Sequence, residues 1–124
     1  MNETESAPTA VLLSRDLFFT SKITGTAAAL GYRVDTSADM QDAIERLTAL
    51  GSSCLFVDLA MPDLQIGTLV DSLPAKKKPV IVAFGAHVDA ARLEEARTAG
   101  CDEVLPRSRF SSTLPDILKR YLPS

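Results

Sequence analysis

The sequence predicts an α/β domain: a doubly wound, five-stranded parallel sheet with helices on both faces. Three observations carry that expectation. Short apolar runs alternate with segments of helical periodicity, five times along the chain. The apolar runs are nearly continuous, as strands covered on both faces are. Gly31, Gly51, Pro74 and Gly100 punctuate the segments where helices should stop. Right-handed crossovers then leave a two-faced sandwich as the expected arrangement. A length of 124 residues suits one core, and 46% hydrophobic with 23% charged residues is a globular composition.

Each element has its own signal. Ala10 to Leu13 is the first apolar run, broken by the polar Ser14-Arg15-Asp16. Leu17 to about Leu30 is helical, with Phe19, Ile23, Ala27 and Leu30 at helical spacing and Gly31 as the stop. Tyr32-Arg33-Val34 reads as a short strand. Thr36 or Ser37 can cap the next helix, where Met40, Ile44, Leu47 and Leu50 share a face and Gly51 follows. A strand to Asp58 comes next, then a short helix from Ile66 to Leu73 closed by Pro74. Pro79 to Phe84 is another buried strand. Asp89 can cap a helix to Ala99, with Leu93 and Ala96 inward and Gly100 as its end. Glu103-Val104-Leu105 is the last strand. Thr113 to Leu122 closes the chain as an amphipathic helix built on Leu114, Ile117, Leu118 and Tyr121.

Composition narrows the function. A net charge of −3 gives no general attraction to nucleic acid or anionic membrane. Lys76-Lys77-Lys78 reads as a solvated basic loop. No apolar run is long enough to span a bilayer. Residues 1–9 are polar and acidic, so they are expected as a flexible tail rather than a signal peptide, with 10–124 as one domain. A cytoplasmic location follows as an expectation. Cys54 and Cys101 are the only cysteines; they make no metal framework and are expected as reduced thiols.

The chemistry concentrates at one point. The run Leu55-Phe56-Val57 ends in Asp58, and Leu59-Ala60-Met61-Pro62-Asp63 follows. Pro62 cannot continue a ladder, so Asp58 sits at the C-terminal edge of a buried strand. Open α/β sheets place their ligand crevice there. A carboxylate in that place can bind a cation, accept a phosphoryl group or cap a loop. Asp63 reads as a turn acid. His87, the only histidine, lies between the fourth strand and its helix. It reads as a loop histidine bonded to helix-start groups, as a proton-linked or partner contact, or, with Asp58 and Asp16, as part of a transition-metal set.

Val11-Leu12-Leu13, the string Asp58-Leu59-Ala60-Met61-Pro62-Asp63, Pro79-Val80-Ile81-Val82 and Ala99-Gly100-Cys101-Asp102-Glu103-Val104-Leu105 together resemble the receiver domain of two-component response regulators. The resemblance covers Ala10 to Leu122. It implies a (βα)5, flavodoxin-like receiver fold and a phosphoacceptor at Asp58. It also implies a magnesium ligand at Asp16 and a histidine kinase or downstream effector as partner. The resemblance breaks at four positions. Arg15 replaces the first acid of the metal-binding pair, Phe84 the hydroxyl residue, Arg107 the lysine and Val104 the signalling aromatic. Magnesium is then expected to bind weakly or not at all, through Asp16, Asp58 and a backbone carbonyl near Ala60. Phe84 cannot donate to a phosphoryl oxygen and is expected to fill the space into which that group would move. Arg107 keeps the charge but not the geometry of lysine and could pair two-pronged with Asp58.

Three functional readings follow. The first is an atypical, stand-alone receiver that signals as a protein-interaction module, not as an enzyme, without aspartyl phosphorylation. Its contact surface would be the fourth helix, fifth strand and fifth helix, including Leu93, Val104, Leu105 and parts of Thr113 to Tyr121. Exposed apolar residues there would support a homodimer. The second is a working receiver that takes a phosphoryl group on Asp58. The third is a small enzyme or ligand-binding domain of flavodoxin-like shape. That reading lacks a Gly-rich phosphate cradle, a P-loop or a nucleophile elbow.

Overall fold

The computed structural model describes residues 9–50, 54–74 and 78–122. Its strands are β1 (Thr9–Leu13), β2 (Arg33–Ser37), β3 (Cys54–Asp58), β4 (Val80–Gly85) and β5 (Glu103–Pro106). Its helices are α1 (Leu17–Ala29), α2 (Met40–Leu50), α3 (Ile66–Asp71), α4 (Ala90–Ala99), α5 (Arg107–Ser112) and α6 (Leu114–Tyr121). The strands form one parallel sheet in the order β2-β1-β3-β4-β5. The order reverses between β1 and β3, so the crevice expected of such a sheet opens beyond the C-terminal ends of those two strands.

Alternation along the strands divides the core into two layers. Val11, Leu13, Leu55, Val57, Ile81 and Ala83 pack against α2, α3 and α4 through Leu47, Leu69 and Leu93. Ala10, Leu12, Cys54, Phe56, Val82 and Phe84 face the other way, onto Ile23, Phe110, Leu114 and Leu118 of α1, α5 and α6. Every residue of β3 is buried, as the continuous apolar run requires of a central parallel strand. Asp58 is the polar end of that run, at 3% exposure.

The structure corrects several boundaries. Thr9 belongs to β1 and pairs with Arg33; the rest of the expected tail lies outside the described residues. The strand expected at Tyr32–Val34 runs instead from Arg33 to Ser37, in register along all of β1. Thr36 and Ser37 therefore do not cap α2. The Asp39 carboxylate accepts from Asp42 N–H at 2.8 Å, while Ser37 donates to the Asp42 carboxylate at 2.7 Å. Leu30 and Leu50, counted on the inward faces, are each 40% exposed, because both stand at the ends of their helices. Gly51, Lys76 and Lys77 lie outside the described residues.

The largest correction is a helix that periodicity missed. α5 is a six-residue element over Arg107–Ser112, opened by Pro106 and followed after the single residue Thr113 by α6. A single apolar residue, Phe110, carries it into the core, too few for a period to show.

α4 behaves as its signals predict. Asp89 accepts from Arg92 N–H at 3.2 Å, and Gly100 closes the helix at φ +102°. A Cβ at Gly100 would meet no atom within 4 Å, so the backbone alone penalises one there. Gly100→Ala is expected to lower the unfolding free energy by about 1–2 kcal/mol, measurable by urea denaturation.

Candidate functional site

Asp58 ends β3 with both carboxylate oxygens occupied. Oδ1 accepts from Ala60 N–H at 2.9 Å and from Arg107 Nη2 at 3.0 Å. Oδ2 accepts from the Ser14 hydroxyl at 2.7 Å. Asp16, just beyond β1, is equally engaged. Its Oδ1 caps α1 by accepting from Phe19 N–H at 3.0 Å, and its Oδ2 accepts from Arg107 Nη1 at 3.0 Å. The Arg107 guanidinium thus spans two carboxylates, Asp58 at the end of β3 and Asp16 in the turn after β1, one prong on each. The sequence alone allows both prongs on Asp58; the structure shares the fork because α5 delivers Arg107 between the ends of β1 and β3. The fork's rigid plane holds the two donors of that bridge in a fixed geometry, which an ammonium on a flexible stem lacks.

Aromatic rings support the bridge from below. The guanidinium carbon lies 5.1 Å from the Phe19 ring centroid and 5.9 Å from that of Phe84. Phe84 in turn stacks on Phe110 at 4.5 Å with 14° between the planes, and Phe56 meets Phe110 edge-on at 5.2 Å. Cation–aromatic contact and a neighbouring pair of acids both favour a fixed, charged arginine.

The remaining predicted residues divide. Arg15 is directed away from the crevice, its Nε donating to the Ala38 carbonyl at 3.0 Å. Phe84 is fully buried and is the register partner of Asp58. Its ring belongs to the α1–α5–α6 layer, whereas Val104 packs against the α2–α3–α4 layer. Strand alternation puts the two on opposite faces. His87 is exposed and lines a cavity with Arg107 and Phe19, apart from Asp58 and Asp16. Asp63 sits in a turn at φ +60°, a conformation aspartate tolerates better than most residues. Neither cysteine is an activated thiol. Burial raises the Cys54 thiol far above its ordinary range, and Cys101, half-buried, is pushed up to about 11.

Ser14 is the site residue that sequence reasoning missed. It is 5% exposed, donates to Asp58 and accepts from Asp16 N–H at 3.1 Å, so it ties the two acids together. Its signal was a small hydroxyl residue directly after an apolar strand, which read simply as a break.

Magnesium does not fit this donor set as it stands. All four oxygens of Asp16 and Asp58 accept from protein donors, and a guanidinium lies between them. The Leu59 carbonyl, next to the one expected to help, accepts from Arg92 Nη1 at 2.7 Å. A divalent cation would have to displace Arg107. No group of three or more histidine, cysteine or acidic residues suited to a metal occurs among the described residues.

The Phe19 N–H, with Arg107 second, holds the Asp16 carboxyl below its ordinary value of 3.8. A depressed carboxyl stabilises the fold above its unfolded pKa and loses that contribution as pH falls through the folded value. Asp42 acts in the same direction, through Arg46 first and then Ser37. Urea-derived stability should therefore show no slope from these groups between pH 7 and about 5, and decline below about pH 4. Asp16→Asn should remove part of that acid slope and leave the share belonging to Asp42.

No protein-family model and no curated protein matches the sequence. Solved structures do match the fold. A response regulator signal receiver domain from Bermanella marisrubri superposes with a TM-score of 0.79 at 22% identity, covering 90% of this chain and 95% of that one. A CheY-like receiver domain from Methylobacillus flagellatus gives 0.74 at 23% identity, covering 92% and 98%. The beryllofluoride-activated NtrC4 receiver domain, described as a dimer in solution, gives 0.72 at 19% identity, covering 90% and 97%. No helix is long and apolar enough to cross a membrane among the described residues. At these identities the likeness establishes architecture: the chain has the five-stranded parallel α/β fold of the response-regulator receiver domain.

Proposed function

We propose that this domain is an atypical receiver, a non-enzymatic interaction module in signal transduction that works without phosphorylation of Asp58. The observation that carries this reading is the Arg107 bridge. It neutralises Asp58 from within the chain and occupies the crevice with a protein cation, and with Ser14 and the N–H groups of Phe19 and Ala60 it commits all four carboxylate oxygens of Asp16 and Asp58. Phosphoryl transfer depends on positioned cations and donors around the acceptor, and Phe84 supplies no donor at the position next to Asp58.

The exposed apolar residues favour a contact surface other than the expected fourth helix, fifth strand and closing helix. The α4–β5–α6 face buries Leu93, Leu114, Ile117 and Leu118 and displays the ion pairs Arg120–Glu103 and Arg97–Glu94. Exposed apolar residues therefore give no support to a homodimer through that face, although one protein of similar fold is a dimer when activated. Instead Leu17, Phe18 and Val88, at 81%, 92% and 79% exposure, stand at the C-terminal end of the sheet beside the crevice. Large apolar side chains held in water mark contact surfaces more often than bare surface. This favours a signalling protein, a histidine kinase or an effector, docking at the crevice end.

A second reading keeps Asp58 as a phosphoacceptor served by a histidine kinase. It is favoured by one observation: Arg107 already places a cation 3.0 Å from Asp58 Oδ1, as an acceptor site needs. Incubation with acetyl phosphate and magnesium separates the two readings. Intact-mass analysis is expected to show no phosphoryl adduct. An adduct that disappears in Asp58→Asn would replace the first reading with the second.

A further inference from the structure

A cavity of about 580 Å³ opens beside the crevice, between α1, the β4–α4 loop and α5. Lys22, His87, Arg107 and the serines Ser108 and Ser111 line it, and Phe19, Ala86 and Pro106 supply apolar wall. Its volume is that of a small-molecule site, in which a few polar groups set orientation within an apolar surround.

The polar groups share one preference. Lys22 forms no ion pair, and the hydroxyls of Ser108 and Ser111 have no protein partner, among the described residues. Arg107 spends Nη1 on Asp16 and Nη2 on Asp58. Its charge is thereby balanced on the crevice side, which leaves Lys22 as the cation that faces the cavity uncompensated. No acidic residue lines the cavity among the described residues. An ammonium and two free hydroxyls suit a headgroup with several acceptor oxygens. The apolar wall suits a hydrocarbon body attached to it.

We propose that this cavity binds a small organic phosphate monoester, its phosphate on Lys22, Ser108 and Ser111 and its apolar part against Phe19 and Pro106. Such a ligand would lie against the arginine that locks Asp16 to Asp58. It would give the domain an input that needs no aspartyl phosphate, and in this it rests on the reading proposed above. Binding itself requires nothing of Asp58, so it can succeed or fail independently of that reading.

Isothermal titration of the unphosphorylated protein, without magnesium, provides the test, with phenyl phosphate as the probe. Inorganic phosphate, benzoate and phenol serve as comparisons. Saturable binding of phenyl phosphate is expected, tighter than any of the three. Lys22→Glu and Ser108→Asp, both at exposed positions, are each expected to weaken it at least about tenfold while circular dichroism stays unchanged. Absence of saturable binding, or affinity unchanged in both variants, would overturn the site. Phosphate binding as tightly as phenyl phosphate would overturn the apolar contact, and tighter binding of benzoate would overturn the choice of phosphate.

Discussion

Arg107→Ala is expected to lower the unfolding free energy by about 2–3 kcal/mol at neutral pH, measured by urea denaturation. The loss comes from stranding Asp58, whose side chain is 4% exposed, without its cation. Removing one member of a fully buried pair costs about 3–5 kcal/mol; the Arg107 side chain is 33% exposed, so water recovers part of that. A double-mutant cycle identifies the cause. Asp58→Asn removes the charge while keeping a carbonyl to accept from Ser14 or Ala60. Combined with Arg107→Ala, it should restore at least about 1 kcal/mol relative to Arg107→Ala alone. Strict additivity would mean that the bridge contributes little, and with it would go the case for a crevice fixed by an internal cation. Arg107→Lys should fall between wild type and Arg107→Ala, because a lysine keeps the charge but not the planar, pre-organised fork or its contact with the aromatic rings.

Phe84→Thr is expected to be at least as damaging, at about 3–5 kcal/mol. This substitution puts back the hydroxyl residue that the receiver resemblance places at this position. It would not restore a switch. It would empty the volume of a fully buried ring that stacks on Phe110 and lies 5.1 Å from Phe19. It would also place a hydroxyl in an apolar layer, with Arg107 losing part of its aromatic floor. A large fall in the urea midpoint is the expected readout. Phe110→Ala should fall by a similar amount, since the same stack is broken from its other side. A near-neutral Phe84→Thr would show that the aromatic cluster is not what holds α5, and hence Arg107, against the sheet.

The two expectations are linked through the fold. β3 carries Asp58, β4 carries Phe84 as its register partner, and α5 carries both Arg107 and Phe110. Packing of Phe110 into the α1–α5–α6 layer sets where α5 starts, and that start places the guanidinium between two carboxylates. The crevice and the hydrophobic layer are therefore one cooperative unit. Core substitutions there should disturb the site, and substitutions in the opposite layer should do so less.

By itself, the sequence determined the β–α alternation, the parallel sheet and the placement of Asp58 and Asp16 at or just beyond strand ends. These follow from local signals: apolar runs, helical period, Gly100 as a helix end and Pro62 after a strand. Tertiary structure alone decided the partners. It directed Arg15 outward to Ala38, shared Arg107 between Asp16 and Asp58, and brought Ser14 in as the link between the acids. It also built α5 around one buried phenylalanine and set Phe84 and Val104 on opposite faces. The physical reason is range. Helix and strand patterns are written in neighbours a few residues apart, whereas the Arg107 contacts join residues separated by 49 and 91 positions. Which donors meet across such distances depends on how the layers pack, and no local pattern encodes that.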